Sequence, residues 1–134
     1  MAMLQQTVAD IKSLRIQGSQ TVTETALKAW NAAKDKRLAS KLLKNARPTE
    51  PMLFRALHAA ETGSDPLKLI KKFEQDGQKI AKFGAALIKN DSIIFTHCHS
   101  STVVDILKEA RAQGKRFEVH NTEARPKYQG RITA

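Results

Sequence analysis

The chain has 134 residues, a formal net charge of +10, 41% hydrophobic residues and 27% charged residues. This length and composition support a globular core and exclude a disordered tail or a fibrous repeat. The single cysteine excludes an internal disulfide and a Cys-rich zinc module, which favours a reducing, cytoplasmic location. Apolar segments stay well below the roughly 20 residues that span a bilayer, and the N-terminus lacks a signal-peptide pattern, so we expect no membrane association.

Residues 1–90 carry apolar side chains at helical spacing and are predicted to form an α-helical N-terminal domain. Proline and glycine residues punctuate the pattern where helices should begin or end. Amphipathic segments are predicted at residues 8–16, 21–33, 37–46 and 50–60. A longer helix is predicted to begin at Asp65 and Pro66, an N-cap and first-turn pair. Its apolar face contains Leu69, Ile70, Phe73, Ile80, Phe83, Leu87 and Ile88.

Residues 91–134 have a different pattern and are predicted to form the start of a Rossmann-like α/β domain, a single βαβ unit. The apolar run at residues 93–95 indicates a strand that is covered on both faces. Residues 100–113 show a helical stripe closed by Gly114, and residues 116–120 alternate like a second strand. Two parallel strands make a poor sheet by themselves. We therefore expect this domain to be incomplete and its sheet to be completed by further chain or by association.

The densest basic segment, residues 28–47, contains seven Lys and Arg side chains against a single acid, Asp35. Binding of a phosphate-rich polymer is one interpretation, and it predicts affinity that falls steeply with salt. We favour a solvated outer face of amphipathic helices, because apolar residues recur between the charges. Aromatic residues make up only 5% of the chain and offer few stacking platforms, so nucleic acid is not an expected partner.

The segment FTHCHSSTV contains the end of a strand, a polar turn and the start of a helix, and Cys98 lies in the turn. Open α/β sheets bind ligands at this carboxyl end of their strands. Backbone N–H groups and the helix dipole favour an anion such as phosphate there, and they favour the thiolate form of Cys98. Ser100 is therefore a candidate phosphate-binding residue. The alternative is that Ser100 and Ser101 only cap the helix and that Cys98 is a small buried residue.

A metal site built from His97, Cys98 and His99 is a less favoured interpretation of the same turn. Consecutive residues on an extended backbone point to opposite sides. The chain also offers no second ligand pair with a recognised spacing. We therefore predict no metal.

Four stretches of the chain occur together in the order and spacing of one known family: IKSLRIQGS (11–19), NARPT (45–49), THCHSS (96–101) and TEARPKYQGR (122–131). The chain resembles the family that unites the alpha, beta and delta regulatory subunits of translation initiation factor 2B with archaeal ribose-1,5-bisphosphate isomerase and methylthioribose-1-phosphate isomerase. The resemblance extends over nearly the whole chain. It corresponds to the helical N-terminal domain and the opening of the Rossmann-like C-terminal domain of full-length members.

The resemblance implies roles for individual residues. In the isomerase branch it implies that Cys98 is catalytic. It implies that Gly18, Ser19, Arg47 and Arg125 lie around a sugar-phosphate pocket, which agrees with the affinity of guanidinium groups and glycine backbone for phosphate oxygens. A strand-end ion pair is the structural alternative for Arg125. The implied reaction converts ribose 1,5-bisphosphate to ribulose 1,5-bisphosphate without a metal or nucleotide cofactor.

The chain departs from the isomerase pattern in several places. Gln17 stands where isomerases commonly have an arginine, and Ala124 stands where Thr or Ser is usual. The family's second catalytic group, an aspartate, belongs to the C-terminal half, and neither Asp91 nor Asp105 lies in its motif. We therefore expect no turnover by this chain alone. The alternative function is a non-catalytic regulatory subunit that binds a phosphosugar or nucleotide and a translation factor partner. Full-length members are expected to be oligomeric.

Overall fold

The structure, a computed structural model, describes residues 2–134. Within this range the elements are α1 (Ala2–Lys12), α2 (Ser19–Ala32), α3 (Lys36–Ala46), α4 (Pro51–Glu61), α5 (Pro66–Leu87), β1 (Ser92–His97), α6 (Ser101–Ala112), β2 (Phe117–Thr122) and a 3-10 helix (Gln129–Ile132). β1 and β2 pair in parallel, with Ser92 opposite Phe117 and His97 opposite Thr122. This architecture confirms the predicted fold class, a helical N-terminal region followed by one βαβ unit.

Most helices begin and end within two residues of their predicted bounds, but α1 does not. It ends at Lys12, so the prediction that the first helix extends to residue 16 is wrong. The carbonyl of Asp10 accepts hydrogen bonds from the N–H groups of Arg15 and Ile16, and Leu14 adopts a left-handed backbone with φ of 60°. This local turn competes with helix continuation and takes Leu14 and Ile16 out of the helix.

The first compact unit of the chain ends at Phe73 and contains the large hydrophobic core. Helices α2, α3 and α4 contribute fully buried leucines to it: Leu27, Leu43, Leu53 and Leu57. Ile11 from α1 and Ile70 from the start of α5 extend the same core. Burial of these side chains is the main stabilising term for this unit, at roughly 1.5–3 kcal/mol for each large aliphatic group.

The second compact unit, Glu74–Ala134, buries mainly small residues. Gly84 of α5 lies so close to Ile106 of α6 that an added Cβ would lie only 2.6 Å from its side chain. The ammonium group of Lys115 donates to the carbonyls of Ala85 and Ile88, at 2.6 and 2.8 Å, and so satisfies the C-terminal end of α5. The predicted boundary between residues 90 and 91 lies in the turn from α5 to β1 and remains a prediction.

Strand β1 is exposed on one face. Ile93 is 74% and Phe95 is 73% exposed, whereas Ile94 between them is partly buried. The expectation that residues 93–95 are covered on both faces is therefore wrong for the described chain. The apolar run is present, but no described residue covers its outer side. None of the helices in residues 2–134 combines the length and apolarity needed to cross a membrane.

Candidate functional site

The turn after β1 holds Cys98 in a constrained backbone conformation. Cys98 follows the last residue of β1 and has a φ of 66°, in the left-handed region that non-glycine residues seldom occupy. Ser100 is the N-cap of α6, and its hydroxyl accepts a hydrogen bond from the N–H of Val103 at 3.4 Å. The conformation costs about 1–2 kcal/mol. Strain of this kind is concentrated at functional sites, and here it places a half-buried thiol beside a helix N-terminus.

The C-terminal segment of the chain contacts the turn directly. The thiol of Cys98 donates to Oε1 of Gln129 at 3.1 Å, and the hydroxyl of Thr133 donates to the carbonyl of Cys98 at 3.3 Å. The same hydroxyl lies 3.0 Å from Nδ1 of His99. Because a threonine hydroxyl has one proton, donation to the carbonyl requires Nδ1 of His99 to be the donor in the second bond. Sequence reasoning did not identify Gln129 or Thr133 as neighbours of Cys98.

Gly130 permits this segment to dock on the end of β2. Its carbonyl accepts a hydrogen bond from the side-chain amide of Asn121 at 2.6 Å, and its N–H donates to the carbonyl of Glu123 at 3.1 Å. A Cβ on Gly130 would lie 1.7 Å from the carbonyl oxygen of Thr122, which is far inside contact distance. The glycine in the TEARPKYQGR stretch was the one sequence feature that could have predicted this close approach between two backbone segments.

Arg125 lies in the loop between β2 and the 3-10 helix, before a cis peptide bond to Pro126. It is exposed and forms no ion pair with any residue in the range 2–134, although its guanidinium lies 5.8 Å from the centre of the Tyr128 ring. Arg131 is the residue that pairs with Glu123, at 2.7 Å. The strand-end ion pair considered for Arg125 is thus formed by Arg131, and the charge of Arg125 remains open to a ligand.

The two histidines that flank Cys98 have different partners. Nδ1 of His97 lies 2.6 Å from the hydroxyl of Thr122 on the neighbouring strand, whereas His99 faces Thr133. Among the described residues, no group of three or more His, Cys, Asp or Glu side chains is arranged to hold a metal ion.

The remaining candidate residues, Gly18, Ser19 and Arg47, lie in the first unit. Gly18 is the N-cap of α2, with a φ of 84° and no side-chain cap, so glycine suits the position. The hydroxyl of Ser19 donates to Oε1 of Glu50 at 2.6 Å, which joins the start of α2 to the start of α4. Arg47, at the end of α3, has a buried Nη1 atom with no hydrogen-bond partner. A helix N-terminus and a buried guanidinium N–H group without a protein partner both favour binding of an anion.

Gln17 precedes this loop and turns back on its own backbone. Its side-chain amide donates to the carbonyl of Leu14 at 2.8 Å. The site residues thus form two groups, Gly18, Ser19 and Arg47 in the first unit and Cys98, Ser100 and Arg125 in the second. Within each unit the structure joins residues that are far apart in the sequence. Ser19 contacts Glu50, which directly follows the NARPT stretch, and Cys98 contacts Gln129 of the TEARPKYQGR stretch.

This fold occurs in solved structures of longer proteins. The translation initiation factor eIF-2B of Pyrococcus horikoshii matches 97% of this chain and 54% of its own, with a TM-score of 0.83 and 23% identity. The 5-methylthioribose 1-phosphate isomerase of the same organism matches 96% of this chain and 46% of its own, with a TM-score of 0.71 and 22% identity. The chain therefore has a fold shared by initiation factors of this type and by sugar-phosphate isomerases.

Sequence comparison identifies the family. The model described as the Initiation factor 2 subunit family matches residues 62–134, which is more than half of the chain and includes the cysteine turn. The chain belongs to the Initiation factor 2 subunit family, which confirms the resemblance found in the sequence.

The similar curated proteins fall into two groups. The ribose 1,5-bisphosphate isomerases of Pyrococcus furiosus and Archaeoglobus fulgidus are 34% and 30% identical to this chain, each over 92% of its length. The translation initiation factor eIF-2B subunit 2-like protein of Pyrococcus furiosus is 44% identical over 47% of the chain and 23% of its own length. The chain spans less than half the length of the two isomerases, 43% and 47%.

Proposed function

We propose that this chain forms the cysteine-bearing half of an aldose–ketose isomerase that acts on ribose 1,5-bisphosphate in the cytoplasm. The observation that carries the proposal is the geometry of Cys98. Its thiol lies just beyond the carboxyl end of a parallel strand, beside the start of α6, and is held there by Gln129. This is the edge at which open α/β sheets bind ligands. The similarity to ribose 1,5-bisphosphate isomerases extends over this turn.

In this proposal Cys98 transfers a proton. Conversion of ribose 1,5-bisphosphate to ribulose 1,5-bisphosphate breaks the bond between C1 and the ring oxygen, and the ring oxygen takes up a proton. One proton leaves C2 and one is delivered to C1, while the 2-hydroxyl loses its proton as the C2 carbonyl forms, so there is no net oxidation. Cys98 serves as one of the two acid–base groups that this transfer needs. Each unit has its own candidate residues for binding phosphate oxygens: Gly18, Ser19 and Arg47 in the first, and Ser100 and Arg125 in the second. The proposal uses no metal or nucleotide cofactor.

The second acid–base group is not supplied by any motif of this chain. The family resemblance implies that this group is an aspartate of the C-terminal half. The chain spans 43% of the length of two ribose 1,5-bisphosphate isomerases to which it is similar. We therefore expect residues 1–134 to bind the sugar bisphosphate without converting it. Turnover requires the remaining half, whether on the same polypeptide or on a partner, and the active form is expected to be oligomeric.

Alkylation of the single cysteine tests the proposal, because every alkyl group added to a thiol must be on Cys98. We expect ribulose 1,5-bisphosphate to slow the reaction of iodoacetamide with Cys98, measured by mass spectrometry of the intact chain. In Arg125→Gln, the concentration of ribulose 1,5-bisphosphate that gives half-maximal protection should be about tenfold higher, because a charge-assisted bond to phosphate is lost. Arg55→Gln, an exposed residue of α4, is the matched control. Alkylation that is unaffected by saturating bisphosphate would contradict the proposal.

A non-catalytic regulatory subunit is the second candidate, and Gln17 is the observation that favours it. The residue has no charge with which to bind phosphate, and its amide is turned to the carbonyl of Leu14. The similarity to an eIF-2B subunit 2-like protein agrees with a role beside a translation factor partner. Mixing the chain with the separately produced C-terminal half of the Pyrococcus furiosus isomerase separates the candidates. Turnover that is lost in Cys98→Ser supports the enzyme, whereas ligand binding without turnover supports the regulatory subunit.

A further inference from the structure

A basic groove lies on the first unit, apart from the residues assigned above. It has a volume of about 620 Å³ and is formed by one side of α3 together with the ends of α2 and α4. Gly18, Ser19 and Arg47 are not among its lining residues. Four cationic side chains of α3 line it against one acid, Glu61: Lys36, Arg37, Lys41 and Lys44. Part of the basic segment that the sequence analysis attributed to a solvated face therefore lines a concave surface.

The floor of the groove is a connected polar network. Nε1 of Trp30 donates to the hydroxyl of Ser40 at 2.8 Å, and these two residues are only 7% and 5% exposed. A hydrogen bond with Ser40 and another from Lys44 lower the pKa of Glu61 below its ordinary value, so Glu61 is charged at neutral pH. The ammonium of Lys44 lies 2.9 Å from Oε1 of Glu61. Because each polar group has a partner, the floor is rigid before any ligand binds.

The walls of the groove combine a fixed cation with two unpaired ones. Nζ of Lys36 donates to the carbonyls of Trp30 and Asn31, at 2.8 and 2.6 Å, and is thereby held at the end of α2. Arg37 and Lys41 are exposed and form no ion pair with any described residue. From Lys36 to Lys44 the cations are distributed over about 12 Å of helix. This spacing suits a ligand with two or more separated negative groups.

We propose that this groove is a second anion site, which binds a small molecule with two or more phosphate groups. The volume lies within the usual range for small-molecule sites, about 300–1,000 Å³. Single-stranded nucleic acid fits less well, because the buried ring of Trp30 is inaccessible to bases. The site goes beyond the proposed isomerase function, since it uses none of the residues assigned to that function.

Titration with inorganic tripolyphosphate tests the groove. The measurement is isothermal titration calorimetry of the whole chain, together with amide chemical shifts to locate the bound anion. We expect Arg37→Gln with Lys41→Gln to weaken binding by about tenfold or more, because two charge-assisted contacts are removed. Lys28→Gln with Arg55→Gln makes the same change in net charge at exposed positions outside the groove and should alter binding less than about twofold. Glu61→Gln should tighten binding.

Three outcomes would overturn the proposal. Equal losses of tripolyphosphate affinity in the two double variants would show that the anion is attracted only by the net charge of the chain. Loss of tripolyphosphate binding in Arg47→Gln, with unchanged binding in the Arg37→Gln, Lys41→Gln variant, would place the anion at the residues of the proposed isomerase function. Tight binding of a short RNA with no binding of tripolyphosphate would identify nucleic acid as the ligand. A negative result for the groove does not affect the alkylation test of Cys98, so the two proposals can be rejected independently.

Discussion

Gly130 is the residue on which the contact between the C-terminal segment and the end of β2 depends. The backbone of Gly130 is hydrogen bonded to Asn121 and Glu123, and the carbonyl of Thr122 occupies the space of a Cβ. The contact matters for the site because the next residue upstream, Gln129, accepts the hydrogen bond of the Cys98 thiol. One small residue therefore links strand packing to the environment of the thiol.

We expect Gly130→Ala to destabilise this segment by about 1–3 kcal/mol, because the added methyl group requires the backbone to move. Detachment would expose Cys98, so its alkylation by iodoacetamide should become faster. The measurement is the alkylation rate by mass spectrometry, with Lys127→Ala, an exposed change in the same loop, as the control. An unchanged rate in Gly130→Ala would show that the segment does not shield the thiol.

Glu61 gives the stability a defined pH dependence. Its pKa in the folded state is lowered from 4.5, first by the hydrogen bond with Ser40 and then by that from Lys44. A lowered pKa means that the charged form stabilises the fold above about pH 4.5, and that this contribution is lost as the pH falls through the folded-state pKa. Because the pair is partly exposed, Glu61→Gln should lower the free energy of unfolding at pH 7 by only about 0.5 kcal/mol.

Urea unfolding at several pH values checks this prediction. The difference between Glu61→Gln and the unsubstituted chain should shrink as the pH is lowered from about 7 to about 3. Glu74→Gln, which removes an exposed carboxylate without an ion pair among the described residues, should show little difference at any pH. A difference for Glu61→Gln that stays constant with pH would exclude the electrostatic explanation.

At the scale of elements, helix starts are set by local caps. Asp35 caps α3 through the N–H of Leu38 at 2.9 Å, and Ser100 caps α6 through Val103. Asp65 accepts from the N–H of Leu67 at 2.8 Å at the start of α5, as its position before Pro66 predicted. Each cap satisfies donors that have no partner within the helix. These elements therefore begin where the sequence signals place them.

Asp65→Ala is expected to destabilise the start of α5 by about 1 kcal/mol, because the cap hydrogen bonds are lost. Since Ile70 from this part of α5 belongs to the core, the loss should appear in the unfolding of the first unit. Circular dichroism during urea unfolding measures it, and Ser64→Ala is the neighbouring control. Equal midpoints for the two variants would show that Pro66 alone determines the start of the helix.

At the scale of the whole molecule, the two units are stabilised unequally. The first contains a core of large aliphatic side chains, whereas the second buries mostly alanines and leaves large apolar groups exposed. Most of the exposed groups belong to the second half of α5 and to β1: Ile80, Phe83, Leu87, Ile93 and Phe95. A surface of this kind favours association. It is the expected consequence of a sheet that has two strands in the described chain.

We expect the chain to bind the dye ANS and to self-associate as its concentration rises, because these apolar groups are exposed to water. Ile93→Thr with Phe95→Thr should reduce both effects while keeping residues that favour strands. Dye fluorescence and sedimentation velocity are the measurements. Leu67→Thr, which removes an exposed leucine from the first unit, is the control. A monomer that binds no dye would contradict the prediction.

The parts of the site that the sequence predicted are local ones. The strand, turn and helix around Cys98 follow from residues close together in the chain, and so does Ser100 as N-cap. The contacts of Cys98 with Gln129 and of Ser19 with Glu50 each join residues 31 positions apart. No spacing rule relates such residues, so sequence patterns indicated the stretches but not which residues in or beside them make contact.

The sequence by itself determined the fold class, most of the element bounds and the position of the cysteine turn, because periodicity and caps act over a few residues. A competing local turn decided the end of α1. Tertiary structure decided the pairing of Arg131 instead of Arg125 with Glu123, and the exposure of Ile93 and Phe95. It also decided that cations of α3 line a groove. Each of these outcomes depends on which distant or competing groups meet in space, and hydrophobic patterning specifies only which side chains favour burial.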